Sequence, residues 1–274
     1  MKPRDAALLP PGVLAADVTA WQGAEVGTRG DWLAEEVPVA LVFNGLSHAV
    51  ILASPAYLED FALGFALTEG LVASAREVYG IEPREVQDGI EVHLDVSSAC
   101  AWRLRERRRT LAGRTGCGLC GTDSLAQVQR ALAPVAGIQV RPAALAAALR
   151  LLRSHQAVQQ LTGATHAAAW CGVDGGIRIV REDIGRHNAL DKVIGALLKA
   201  GEDPSSGFVA LTSRASFEMV QKAAAAGIGA VAAVSAPTAL AVRRARELGV
   251  ALAGFVRGDD GVAYTWADRL GLAT

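Results

Sequence analysis

Hydrophobic and polar positions divide the chain into elements from residue 37 onward. Val37 to Phe43 is a β-rich run, Asn44-Gly45 is a two-residue hairpin signal, and His48 to Leu52 returns as a second strand. Ser54-Pro55 sets a capping hydroxyl before a proline suited to a first helical turn. Leu58, Phe61, Ala62 and Phe65 then recur at helical spacing up to Gly70. Asp88-Gly89 predicts another tight turn, and Ile90, Val92, Leu94 and Val96 alternate as a half-buried strand does, closing a first unit near Ser98. Residues 1 to 36 carry Pro10, Pro11, Gly12, Gly23, Gly27 and Gly30 with little periodicity, which predicts an extended arm with one strand.

Between Ala99 and Gly121 neither period holds, charge is dense and glycine recurs, so the pattern predicts a long connecting loop. Helical spacing resumes over Asp123 to Leu132 and over Pro142 to Leu161, the latter ending at Gly163. Strands and helices then alternate: His166 to Val173, Ile177 to Val180, helix His187 to Lys199, strand Phe208 to Leu211, helix Ser216 to Ala226, strand Ala230 to Val234, helix Pro237 to Leu248, strand Ala251 to Val256. Such alternation predicts an α/β domain on a mostly parallel sheet, with ligands beyond the carboxyl ends of its strands. The expected organisation is an N-terminal arm and smaller α+β unit over 1–98, an arginine-rich loop over 99–122, and a C-terminal α/β domain over 123–274.

The chain's 274 residues, 51% of them hydrophobic, suffice for a sizeable core. A net charge of −1 gives no global reason to bind nucleic acid or an anionic membrane, and no sustained apolar run resembles a signal or spanning helix. Four cysteines are too few for a disulfide framework in a chain of this length, which points to a reducing compartment, the cytoplasm, and to reactive or metal-binding thiols.

Two of those thiols stand in Gly116-Cys117-Gly118-Leu119-Cys120-Gly121, just after Arg103, Arg105, Arg107, Arg108, Arg109 and Arg114, with Glu106 the one acid among them. Guanidinium groups near a thiol lower its pKa and favour the reactive thiolate. Structural zinc needs four ligands, and no second Cys-x-x-Cys pair exists; Cys100, Cys171 and His166 would join only by accident of folding. A redox dithiol of the thioredoxin kind sits near a helix start within a βαβ unit rather than in a glycine-rich loop. A sulfur carrier suits an accessible loop, and two unremarkable cysteines remain the bland alternative.

Two strand-to-helix junctions gather charge. In Glu182-Asp183-Ile184-Gly185-Arg186-His187-Asn188-Ala189-Leu190-Asp191-Lys192, the side chains of Asp183, Arg186 and His187 are candidates for holding a phosphate or a base edge at a helix start, or for a capping and ion-pair network. In Thr212-Ser213-Arg214-Ala215-Ser216, with Glu218 beyond, Ser213 and Ser216 read as caps, whereas Arg214 opposes the helix dipole unless an anion offsets it. Thr165-His166-Ala167-Ala168 stands where zinc deaminases carry His-x-Glu, but Ala168 occupies the glutamate position and no Pro-Cys-x-x-Cys segment follows, which argues against deaminase chemistry.

Taken together, Phe43 to His48, Phe61 to Phe65 with Glu69-Gly70, Gly113 to Gly121, Leu161 to Ala168, Glu182 to Lys192, Ser213 to Lys222 and Ser235-Ala236-Pro237-Thr238 resemble, in order, the formate dehydrogenase accessory sulfurtransferase (FdhD) family. The resemblance implies a C-terminal fold similar to that of cytidine deaminases. It implies persulfide sulfur carried on Cys117, with Cys120 as companion thiol, from a cysteine desulfurase to the molybdenum cofactor (Mo-bis-molybdopterin guanine dinucleotide) required by formate dehydrogenase. Phe255, Val256, Arg257, Gly258, Asp259 and Asp260 match the family's cofactor-binding segment, where Asp259 and Asp260 sit awkwardly beside an anionic ligand; Arg186, His187 and Arg214 would hold its phosphates. No metal is implied beyond this cargo, and a homodimer is one assembly open to the chain. The rival function is a molybdenum-cofactor chaperone that moves no sulfur.

Overall fold

In the computed structural model, residues 9–112 and 130–272 are described, with side chains between 106 and 112 left aside; Cys117 and Cys120 lie outside the described residues. The predicted arm is a long antiparallel hairpin, β1 (Val13–Gln22) and β2 (Glu25–Ala34), turning at Gly23, whose φ is 62°. Its glycines and polar positions hide the period because most of both strands is exposed on both faces.

The first compact unit is a four-stranded sheet in the order β4-β3-β6-β5, built from β3 (Val37–Phe43), β4 (Leu46–Ala53), β5 (Val78–Val86) and β6 (Gly89–Val96). Asn44 and Gly45 turn with φ of 45° and 80°, both left-handed as a two-residue hairpin of this type requires. The second turn falls one residue earlier than predicted, on Gln87-Asp88, since Val86 pairs with Gly89. Val39, Leu41, Phe43, Val92, Leu94 and Val96 form the inner face, covered by α1 (Leu58–Thr68) through Leu58, Phe61, Ala62 and Ala66. Ser54 does not cap α1. The helix starts four residues later behind Tyr57, at φ 57°, and Ser54 bonds across to the second unit instead.

The long loop expected from Ala99 begins as a helix, α2 (Ser98–Ala112). Among its described side chains Cys100, Ala101 and Leu104 are buried, too few among the arginines to register as a period. Residues 130–141, partly expected to be helical, run without regular structure to α3 (Pro142–Ser154) and α4 (Ala157–Thr162), a single predicted helix split at His155-Gln156.

The second unit centres on a six-stranded sheet of order β12-β11-β10-β9-β7-β8. Its strands are β7 (His166–Gly172), β8 (Ile177–Asp183), β9 (Gly207–Leu211), β10 (Ala230–Ala233), β11 (Ala251–Arg257) and β12 (Asp260–Thr265). It is mixed rather than mostly parallel. Only β9–β10 and β10–β11 pair in parallel, because β7–β8 and β11–β12 are hairpins and β7 runs antiparallel to β9. Even so, β8, β9, β10 and β11 all point the same way, so their carboxyl ends share one edge. The helices α5 (Arg186–Ala200), α6 (Phe217–Ala225) and α7 (Ala239–Leu248) cover one face, with α3 on the other. Strands buried on both faces, such as Phe208-Val209-Ala210-Leu211, read as unbroken apolar runs for that reason.

The two units meet where α1 crosses α5. Gly64 and Gly195 make the crossing close: a Cβ on Gly64 would strike the Asp191 carbonyl, and one on Gly195 the Asp60 carbonyl. Three ion networks rivet the contact. Asp183 and Lys192, both fully buried, pair at 2.6 Å, and Asp183 also accepts from the Ser54 N–H. Lys222 bridges Asp191 (2.9 Å), Glu69 (2.7 Å) and the Thr68 hydroxyl (3.0 Å). Arg181 and Lys199 both reach Asp60, at 2.8 and 3.0 Å.

Candidate functional site

The shared carboxyl edge collects the polar residues singled out in the sequence. Asp183 at the end of β8 is not available to a ligand: one oxygen accepts from the Gly185 N–H (2.8 Å) and Asn188 (3.0 Å), the other from Ser54 and Lys192. Its part is structural. Arg186 and His187 then open α5, a helix whose first turn holds no acid and whose Gly185 cap supplies no side-chain bond. Basic groups there oppose the helix dipole. His187 Nε2 lies 2.7 Å from Glu218 Oε2 at the start of α6, and His187 holds the Glu218 carboxyl below the usual range against the opposing effect of burial. The Arg186 Nε is buried and makes no hydrogen bond to any described residue. His166, at the start of β7, is half-buried and is pushed below its ordinary value by burial first and then by the charges of Arg186 and His187.

The next junction departs from its expected capping. Ser216 occupies the cap position of α6, yet its hydroxyl is buried without a partner among the described residues, and Ser213 donates to the Arg214 carbonyl at 3.1 Å. The first N–H groups of α6 therefore lack a side-chain acceptor, beside an exposed Arg214. By contrast, Thr238 caps α7 by accepting from the Ala241 N–H at 3.1 Å. Buried orphan polar atoms carry a desolvation cost that an incoming anion with several acceptor oxygens would relieve.

The rim is continuous. Ala215 bridges Pro237, the Thr238 N–H donates to the Ala215 carbonyl (3.1 Å), and the Phe255 N–H donates to that of Ser235 (3.3 Å). Phe255, at φ 53°, and Gly258, at φ 58°, shape the β11–β12 turn; Val256 is buried in the α3-side core. Arg257 donates to the Val234 carbonyl at 3.2 Å. Asp259 is offset by Arg150 at 2.9 Å, and Arg150 also donates to the Gly258 carbonyl; Asp260 is the strand-register partner of Arg257 across the turn. Arg186, His187, His166 and Glu218 thus form one cluster, while residues 255–260 follow β11, four strands along the edge from β8 and two from β9, about 19 and about 10 Å at ~4.8 Å per strand. Beside His166, a polar cleft of ≈ 390 Å³ opens between Gln156, Gln159, Thr165 and Thr212. A wider cleft of ≈ 650 Å³ over Tyr57, Asp60, Arg181 and Lys199 lies among charges already paired with each other.

Two described cysteines are closed to solvent. Cys171 is fully buried in β7 and burial pushes its thiol up to about 12. Cys100 is fully buried and donates to the Leu71 carbonyl at 3.1 Å. Sequence reasoning missed a clamp at Arg130, where the chain re-enters the described structure after the Cys-x-x-Cys segment. Its N–H donates to Gln221 (2.9 Å), its guanidinium reaches the Leu67 and Thr68 carbonyls at the end of α1, and Arg244 reaches both the Arg130 carbonyl and Gln221. The partners lie up to 114 residues apart, beyond any local pattern. Among the described residues no cluster of three potential metal ligands occurs, and no helix is long and apolar enough to cross a membrane.

Similarity to known proteins covers both units. Two proteins named sulfur carrier protein FdhD are 56% identical: one from Cupriavidus necator over 95% of this chain and 91% of its own length, one from Bordetella petrii over 92% and 91%. A crystal structure assigned as a formate dehydrogenase accessory protein, from Desulfotalea psychrophila, superposes with a TM-score of 0.75 over 95% of this chain and all of its own, at 21% identity. The profile of the FdhD/NarQ family matches residues 34–271, from the end of the hairpin arm through the whole six-stranded sheet; the chain belongs to the FdhD/NarQ family.

Proposed function

We propose that this chain is a sulfurtransferase that carries persulfide sulfur on Cys117 from a cysteine desulfurase to the molybdenum cofactor, in its bis-molybdopterin guanine dinucleotide form, destined for formate dehydrogenase. Relatives more than half identical over nearly their full length bear the name of sulfur carriers, which supports sulfur transfer as the activity. The observation that directs it to the Cys-x-x-Cys pair is the state of the other two thiols. Cys100 and Cys171 are sealed in the core, and a thiol at about 12 holds almost no thiolate at neutral pH. Cys117 and Cys120, which follow the arginine run, are what the chain has left for the chemistry.

In the first step, the Cys117 thiolate attacks the outer sulfur of the donor's persulfide. A new S–S bond forms on Cys117, the donor's own S–S bond breaks, and the donor cysteine leaves as thiolate, so no outside oxidant is needed. Cys120 stands as the companion thiol. The cargo is held at the strand edge: Arg186, Arg214, the Ser216 hydroxyl and the uncapped N–H groups of α6 suit the oxygens of a diphosphate, with His187 beside them. The 255–260 turn offers Arg257 and backbone at Gly258, and the Arg150–Asp259 pair reduces the repulsion that two aspartates would otherwise present.

Replacing Cys117 with alanine in a null strain should abolish formate dehydrogenase activity while the variant protein stays folded; full activity would reject the assignment. Cofactor bound normally with no sulfur ever appearing on Cys117 would favour the chaperone, since the rim binds without using the thiols.

A further inference from the structure

Helix α2 leads into the Cys-x-x-Cys segment, and its described side chains, up to Arg105, are fastened on one side. The Ser97 hydroxyl accepts from the Cys100 N–H at 3.1 Å and its carbonyl from the Ala101 N–H at 2.9 Å, fixing the first turn. Cys100 and Leu104 bury in the core of the four-stranded unit, Ala101 is buried beside them in sequence, and Arg103 donates to both Glu77 oxygens at 2.8 Å. On the other side Trp102 is 64% exposed, with Arg105 exposed one turn on. Residues three apart on a helix are surface neighbours, so the indole and the guanidinium form one patch. The sequence adds Arg107, Arg108 and Arg109, giving five arginines against Glu106 alone between 103 and 109, and the helix ends at Ala112, five residues before Cys117.

Tryptophan and arginine are the residue types most enriched among those that dominate protein interfaces. A tryptophan 64% exposed on a fastened helix contributes little to the described core, and the charge beside it selects an acidic partner. We propose that the outward side of α2, centred on Trp102 and Arg105, is the docking surface for the protein that donates sulfur, and that this donor presents an acidic surface with an apolar recess. The donor is favoured over the acceptor because the cargo has its own place at the strand edge, whereas sulfur exchange between two proteins requires their cysteines to be brought together beside Cys117. A protein is favoured over nucleic acid because the net charge of −1 supplies no wider positive field to track a polyanion.

The assignment rests on the sulfur-carrier function above, and loading Cys117 from two sources separates the two. The variant W102A and the wild-type chain are incubated either with a cysteine desulfurase and cysteine or with glutathione persulfide, and sulfur on Cys117 is followed by mass. The variant should load from the desulfurase roughly tenfold or more slowly at sub-saturating donor and load from glutathione persulfide at the wild-type rate. Trp102 is exposed, so folding is retained, and W102F should recover part of the lost rate. Equal loading of variant and wild type from the desulfurase overturns the docking assignment and leaves the carrier intact. A mixed-sequence RNA 20-mer that blocks desulfurase loading of the wild type at equimolar amounts also overturns it. Wild-type chain that takes no sulfur from either source overturns the carrier function itself.

Discussion

Helix α5 holds two opposite treatments of charge within seven residues. At its middle, Asp191 and Lys192 are buried and answered on every side, by Lys222, Thr68, Asp183 and Ser54. At its start, Arg186 and His187 face the strand edge, where the Arg186 Nε and the nearby Ser216 hydroxyl are buried with no described partner. Charge that is fully answered locks the N-terminal unit to the C-terminal one; the donors left unanswered at the helix starts, Arg186 Nε and the Ser216 hydroxyl, are where the proposed ligand would supply acceptors. Both places carry ionisable residues, and the accounting of their hydrogen bonds tells them apart.

The sharpest way to break the contrast is to remove one answered charge. Lys192→Ala leaves Asp183 buried without its cation and should cost about 3–5 kcal/mol, read as a fall in the urea midpoint. At the start of the helix the opposite pattern is expected. Arg186→Gln with Arg214→Gln should leave the urea midpoint within ~0.5 kcal/mol of wild type and weaken binding of guanosine diphosphate by roughly tenfold or more, as loss of charge-assisted hydrogen bonds does. A midpoint that falls as far as for Lys192→Ala would place the rim with the structural networks instead.

The two cap positions give a smaller effect. Thr238→Ala removes a formed cap and should cost about 1 kcal/mol, whereas Ser216→Ala removes a hydroxyl that caps nothing and should cost less than ~0.5 kcal/mol. Equal losses in thermal unfolding would mean that Ser216 is an ordinary cap. Smallest is the titration of His166. Its pKa lies below the ordinary 6.5, so the unfolded chain takes up a proton that the folded chain resists, and this contribution to stability is present above pH 6.5 and lost as the pH falls below it. Arg186→Gln removes one of the charges responsible and should move the His166 NMR titration upward, though burial, the larger cause, keeps it below 6.5. An unchanged midpoint would separate His166 from the cluster.

Period and turn chemistry made most elements legible. The Asn44-Gly45 hairpin, the alternating half of the chain beyond residue 166, and the gathering of Arg186, His187 and Arg214 on one edge all follow from local pattern. What stayed hidden depends on distant partners. Ser54 looked like a helix cap but bonds Asp183 and Ile184 across 129 and 130 residues. Asp183 looked like a ligand-binding acid but is spent on four donors. The arginine run masked helix α2 because only three positions of its anchored half are buried. The Cys-x-x-Cys segment lies outside the described residues, and what the structure adds is that the other two thiols, Cys100 and Cys171, are buried.

The central claim is that sulfur rides on Cys117 and on neither buried cysteine. Peptide mass analysis of the wild-type chain after incubation with a cysteine desulfurase and cysteine tests it directly. A gain of about 32 Da, one sulfur atom, on the peptide holding Cys117 is the predicted result, with the Cys100 and Cys171 peptides unchanged. Sulfur on the Cys100 or Cys171 peptide, or on none of them, would contradict it.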